Sequence, residues 1–193
     1  MSKYKAIAIF GSARDSIDEV FKAPIFETGA LLAEKGITMI FGVGDYGLMG
    51  ESFRGVRSKG GKVLGVTIPS LLHKQCPDPS VFHEGELKIV ETLHDRKHIM
   101  MESADALLIA PGGWGTMDEI ASHGVHASSL GDRTAKPMIF LNFNGFWDPL
   151  KQLFDNMLAH GSINPEQLAF VDFAQKPSEI FDAIERAQKR LSK

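Results

Sequence analysis

The sequence carries a single cysteine, Cys76, and only two tryptophans and two tyrosines. A lone thiol excludes an internal disulfide framework and any zinc site built on cysteine pairs. No apolar run approaches the roughly 20 residues of a membrane-spanning helix. The run behind the N-terminal Met1-Ser2-Lys3-Tyr4-Lys5, from Ala6 to Phe10, is too short for a signal-peptide core. A cytoplasmic protein without a membrane partner is therefore expected. Neither sign of charge dominates: 21 Lys and Arg against 24 Asp and Glu leave a net charge of −3. No global basic field recruits nucleic acid. Repeats, low-complexity tracts and interdomain linkers are also missing, so the 193 residues are expected to form one domain, residues 1–193. What is present suits a folded chain: 44% of the residues are apolar and 23% charged, close to the globular average.

Short apolar runs alternate with amphipathic stretches. Ala6–Phe10, Thr38–Phe41, Lys62–Ile68, Leu87–Val90, Ala106–Ala110, Pro137–Leu141 and a last short run, Leu168–Val171, read as strands. Helices are predicted from about Ser16 to Lys35, after the second strand to Lys59, around Arg96 and Lys97, after the fifth strand to Ser129, over Asp148–His160 and over Pro177–Leu191. Pro69 to Gly85, broken by Pro77, Asp78 and Pro79, reads as loop. Strands apolar on both faces, alternating with helices, mean an α/β fold. It is a doubly wound, Rossmann-like parallel sheet with helices on both faces. Ligands of such sheets bind beyond the carboxyl ends of the strands.

Two glycine-rich turns stand at such ends, Gly42-Val43-Gly44-Asp45-Tyr46-Gly47 and Pro111-Gly112-Gly113-Trp114-Gly115-Thr116-Met117-Asp118-Glu119. Each opens a helix, whose unpaired N–H groups and dipole favour an anion. The first turn matches G-x-G-x-x-G, but it follows the second strand. Thr67 to Ser70 stand where a ribose-holding acid would be needed, which speaks against dinucleotide binding. A P-loop is excluded, since no Gly-Lys-Ser/Thr follows either turn. In the second turn Thr116 and Glu119 have two readings: a capping box that satisfies the helix terminus, or a phosphate ligand and a carboxylate facing the cleft. Spacing alone leaves both open. His123 and His126 lie three apart without a third ligand and read as solvated or interface histidines. Phe146 and Trp147 read as packing residues, and Arg186, Lys189, Arg190 and Lys193 as a solvated helix face.

The pattern P-G-G-x-G-T-x-x-E over Pro111–Glu119 resembles the signature of the LOG ("Lonely guy") family. These cytokinin riboside 5'-monophosphate phosphoribohydrolases are also described as possible lysine decarboxylases. Gly11-Ser12, the Gly-Leu-Met-Gly run ending at Gly50, Gly60–Val66, Leu93–Met100 and Asn142–Phe146 agree in order and spacing, so the resemblance covers roughly residues 5 to 160. It implies hydrolysis of the N-glycosidic bond of a nucleoside 5'-monophosphate to free base and ribose 5-phosphate, usually by a homodimer, without metal or other cofactor. By matching motif, Arg96 and Glu119 are the implied catalytic residues. The implied substrate-binding residues are Gly11, Ser12, Gly44, Gly47, Lys97, Met100, Gly112, Gly113, Trp114, Gly115 and Thr116. Asp95, His94 or solvent would protonate the leaving base. Val43 stands where the family has glycine and Trp114 where it has tyrosine, and the segment from Ile120 to Gly131 departs from the family pattern. Base identity is accordingly open between a cytokinin precursor and an ordinary purine nucleotide such as AMP. A carrier of a nucleotide or of molybdenum cofactor, without turnover, is the alternative of the same fold. The lysine decarboxylase description implies pyridoxal phosphate on a lysine, which nothing near these turns offers.

Overall fold

The computed structural model describes residues 3–76, 78–129 and 135–192. Pro77, Leu130-Gly131 and Lys193 lie outside the described residues. Seven strands form one parallel sheet: β1 (Ala6–Phe10), β2 (Thr38–Phe41), β3 (Val63–Thr67), β4 (Leu87–Ile89), β5 (Ala106–Ile109), β6 (Met138–Leu141) and β7 (Val171–Ala174). Their order is β4-β3-β2-β1-β5-β6-β7, with β1 flanked by β2 and β5. The chain winds outward from β1 on one side and from β5 on the other. The crevice between their carboxyl ends is therefore the topological switch point where such sheets bind ligands.

The helices are α1 (Lys22–Glu34), α2 (Gly47–Ser58), α3 (Pro69–Gln75), α4 (Leu93–Glu102), α5 (Trp114–Ser129), α6 (Asp148–Ala159) and α7 (Ile180–Leu191). Strand residues alternate between two cores, as a two-residue period demands. Ile7, Ile9, Met39, Phe41 and Leu108 pack with residues of α1, α2 and α7. Ala8, Phe10, Ile40, Leu107 and Phe140 pack on the other face with Met100 of α4, Ile120 of α5 and Trp147. Trp147 fills this second core and donates its indole N–H to the Ile109 carbonyl at 3.1 Å, the packing role expected of it. No described helix is long and apolar enough to cross a membrane.

Four segments differ from the sequence reading by more than a single residue. Residues 16–18 are not helical. Asp18 caps a 3-10 turn over Glu19–Phe21, and α1 follows from Lys22. The segment read as loop contains α3, whose first residue is Pro69, and a 3-10 turn over Pro79–Val81 capped by Asp78. Proline at a helix start costs no hydrogen bond, because the first N–H groups have no partner in any case. The last strand begins at Val171, because Asn164 and Gln167 form a capping box that winds Pro165–Leu168 into a 3-10 turn. The strand then runs through Asp172, whose carboxylate pairs with Arg186 at 2.8 Å and Arg190 at 3.0 Å. Those two arginines thus tie α7 to the sheet edge while their side chains stay exposed, on the solvated helix face read from the sequence. α7 itself starts at Ile180, after a 3-10 turn over Pro177–Glu179.

Candidate active site

A cleft of about 630 Å³ opens at the switch point. The turn after β1 forms one wall and the start of α5 the other, and the two turns are joined by the Ser12 N–H donating to the Pro111 carbonyl at 2.9 Å. The two glycine turns have different fates. At α2 the first-turn donors are used up inside the protein. Gly47 N–H donates to Asp15 Oδ1 at 3.0 Å, and Leu48 and Met49 N–H donate to the Ser12 carbonyl at 2.8 and 3.3 Å. The G-x-G-x-x-G turn is thus a dock for the turn after β1, not an anion cradle. Gly47 is needed there because its φ is +56° and a Cβ would meet Arg14 and Ser12 backbone below 3 Å. Gly44 and Gly47, expected to bind substrate, do not line the cleft.

At α5 the donors are free. The first intrahelical bond runs from Met117 N–H to the Gly113 carbonyl, and the N–H groups of Trp114, Gly115 and Thr116 make no backbone hydrogen bond among the described residues. This also separates the two readings of Thr116 and Glu119. A capping box needs its Ser or Thr immediately before the helix, whereas Thr116 is already the third residue of α5. Its buried side chain is admitted by Gly112, where a Cβ would stand 2.1 Å from Thr116 Oγ1. Gly112 is accordingly a spacer behind the wall and does not line the cleft. Gly113 and Gly115 face open space: a Cβ on either would meet nothing within 4 Å.

Glu119 lies below these donors and is only 9% exposed. Burial pushes its carboxyl up to about 7, against the pull of Arg96. Arg96 Nη1 stands 3.7 Å from Glu119 Oε1. The guanidinium is anchored from behind, Nε donating to the Val66 carbonyl at 3.1 Å and Nη2 to the Gly42 carbonyl at 3.2 Å. The carbonyl ends of β3 and β2 thus fix the fork. Gly42, read from the sequence as part of the first glycine turn but not among the implied site residues, is what lets it in, since a Cβ there would lie 1.6 Å from Arg96 Nη2. Its signal is a glycine directly after a strand, where only a close approach calls for one. Lys97 lines the cleft with Nζ tied to Asp118 Oδ2 at 2.7 Å and Ser122 Oγ at 2.6 Å.

The structure therefore gathers Gly11, Ser12, Arg96, Lys97, Gly113, Trp114, Gly115, Thr116 and Glu119 around one cleft. Met100 is a correction: it is fully buried in the core under α4, because it lies on the helix face turned to the sheet. Asp95 and His94 do not line the cleft either. Asp95 accepts from Thr92 at the start of α4, and His94 stacks on His98 over a neighbouring hollow. His123 is buried, not solvated: it bonds the Lys136 carbonyl through Nε2 at 2.9 Å and meets Phe170 edge-on. No cluster of three or more His, Cys, Asp or Glu among the described residues is placed to hold a metal. Val43, with φ +62°, occupies left-handed backbone that a β-branched residue rarely adopts. It is held there by packing against Leu72 and Cys76.

Comparison with known proteins supplies the family. The family model described as "Possible lysine decarboxylase" matches residues 49–184. A probable cytokinin riboside 5'-monophosphate phosphoribohydrolase of Oryza sativa subsp. japonica is 33% identical over 184 residues, covering 95% of this chain and 80% of the relative. The chain belongs to the LOG family. Another member, a cytokinin riboside 5'-monophosphate phosphoribohydrolase of Arabidopsis thaliana, is 29% identical over all of this chain and 90% of its own length. Among solved structures, the molybdenum cofactor binding protein of Rippkaea orientalis superposes with a TM-score of 0.69 at 20% identity, over 96% of this chain and 98% of that one. The molybdenum cofactor carrier protein of Chlamydomonas reinhardtii gives 0.64 at 21% identity, over 96% and 99%. At such identity the likeness is one of fold, and the fold is Rossmann-like α/β. The lysine decarboxylase description finds no fit in this LOG-family cleft. Pyridoxal phosphate requires a lysine free to form a Schiff base, and Lys97, the one lysine among the described lining residues, is held by Asp118 and Ser122.

Proposed function

We propose that this chain hydrolyses the N-glycosidic bond of a purine nucleoside 5'-monophosphate, cytokinin-type or AMP-like, to free base and ribose 5-phosphate. The observation that carries the reading is the buried Glu119 carboxyl beside Arg96, beneath the unused N–H groups at the start of α5. The 5'-phosphate takes those N–H groups and the Thr116 hydroxyl, favoured by the positive end of the helix. The ribose then lies over Glu119. As the bond from C1' to the base nitrogen breaks, its electron pair leaves with the base and positive charge grows on the sugar. The Glu119 carboxylate stabilises that charge, orients the water whose oxygen joins C1' and accepts the proton that water gives up. Arg96 holds Glu119 and the ribose oxygens in register. Solvent supplies the proton to the base, because Asp95 and His94 lie off the cleft. Trp114, 91% exposed at the mouth, offers the base an aromatic face, and the working unit is a homodimer.

The test is incubation of the purified protein with AMP and with isopentenyladenosine monophosphate, following free base by chromatography. Base release from one or both is expected, and their rates rank the two bases. Tight nucleotide binding without base release from any purine monophosphate would favour the carrier reading instead. Gly115→Ala probes the phosphate wall. Alanine in the first turn of α5 meets no protein atom and stabilises a helix by roughly 0.5–1 kcal/mol relative to glycine. The variant is expected to melt no lower than the parent, yet to bind AMP at least about tenfold more weakly, the loss of one charge-assisted hydrogen bond. Calorimetric melting and AMP titration would check both; unchanged AMP affinity would remove the phosphate from this wall.

A further inference from the structure

The turn after β1 contributes an arginine that the resemblance does not assign. Arg14 lines the cleft across from the start of α5. Its backbone is pinned, with N–H donating to Ser12 Oγ at 3.2 Å and the carbonyl accepting from Ile17 N–H at 3.2 Å. Its guanidinium is not. Arg54 pairs with Asp45 and Glu51, Arg57 with Glu86, Arg96 with Glu119, and Arg186 and Arg190 with Asp172. The Arg14 guanidinium has no hydrogen bond or ion pair among the described residues. The acids that follow it in the sequence have partners of their own: Asp15 accepts from Gly47 N–H, Asp18 from Val20 N–H, and Glu19 pairs with Lys22.

Charge balance gives this free fork its meaning. The charged residues lining the cleft are Arg14, Arg96, Lys97, Asp118 and Glu119. Arg96 is offset by Glu119 and Lys97 by Asp118. Arg14 alone is unbalanced, opposite the wall that presents free N–H groups. We propose that Arg14 is the residue that selects the 5'-phosphate: it closes on the outer oxygens of the phosphate seated at α5, with the Ser12 hydroxyl beside it. It thereby makes the site one for nucleotides rather than nucleosides. This rests on the phosphoribohydrolase reading for the identity of the ligand, and it assigns the phosphate a second, side-chain wall.

The experiment compares the parent protein with Arg14→Gln and Arg14→Lys, titrated with AMP and with adenosine, and assayed for base release from AMP. Arg14→Gln is expected to weaken AMP binding about 10- to 100-fold, the worth of a charge-assisted bidentate contact. Adenosine binding should stay within twofold. The loss in turnover should fall mainly on KM. Arg14→Lys should recover part of the affinity, since it keeps the charge and loses the fork. Raising the ionic strength should weaken AMP binding more in the parent than in Arg14→Gln. Equal AMP affinity in parent and Arg14→Gln would overturn the proposal even where base release stands. Failure of base release with an Arg14-dependent preference for AMP over adenosine would overturn the hydrolase reading and uphold this one. A parent protein that binds AMP no tighter than adenosine would overturn the assignment of Arg14.

Discussion

Glu119→Gln is expected to abolish base release and, above pH 7, to raise the melting temperature. The two effects have one cause. Burial lifts the Glu119 carboxyl from its ordinary 4.5 to about 7, so the folded protein holds that proton where the unfolded chain has lost it. Between about pH 4.5 and 7 folding takes up a proton, and stability falls as pH rises through this window. Above it the ionised carboxylate costs about 3 kcal/mol, at about 1.4 kcal/mol for each pH unit between the two values. Glutamine has the same shape and no charge to desolvate. It removes that cost at pH 8 and gains nothing at pH 4. At about 2–4 °C per kcal/mol for a chain of this size, melting at pH 8 should rise by several degrees. Base release should drop by about 10²–10⁴, the range for a lost acid–base or electrostatic group. In the parent, kcat/KM should rise with pH through about 7 as Glu119 ionises. Retained turnover in the variant, or a lower melting point at pH 8, would make Glu119 a structural prop.

That trade separates a functional carboxylate from a capping one, which the sequence could not do. Thr-x-x-Glu has the same spacing in both cases; what differs is where the helix starts. α5 begins at Trp114, two residues before Thr116, and that depends on how the turn leaves β5, not on the four residues themselves. The first glycine turn failed for the opposite reason. Its glycines and its helix were legible, but an anion site is made by donors left over. Those at α2 are consumed by Ser12 and Asp15, more than thirty residues earlier in the chain. Long-range pairing of this kind leaves no local pattern. The strands were legible because their residues are apolar on both faces, a property of each run by itself. α3 was obscured by Pro77 and Pro79, although Pro69 marks its first residue. Arg14 went unnoticed because an arginine beside a glycine turn looks like ordinary surface until the acids that follow it in the sequence are seen to have partners of their own.

Gly42→Ala is expected to lower base release by about 100-fold without unfolding the protein, although Gly42 itself does not touch Glu119 through any side chain. Its backbone lies outside the left-handed region, so alanine is conformationally acceptable there. The conflict is with Arg96, whose Nη2 and Cζ would stand 1.6 and 2.8 Å from the new Cβ. The guanidinium is the far end of a flexible side chain and can swing out, so the fold survives. What is lost is the anchorage to the Gly42 and Val66 carbonyls and the 3.7 Å approach to Glu119. Displacing a positioned group by an ångström or more costs on the order of 10²-fold. A second readout distinguishes this from general damage. Arg96, more than Lys97, holds the Glu119 carboxyl down against burial, so moving it away should shift the acidic limb of the pH–rate profile above 7 in Gly42→Ala. A variant with low activity and an unshifted limb would mean that Arg96 acts on the substrate alone, and that Glu119 owes its ionisation to the bound ligand.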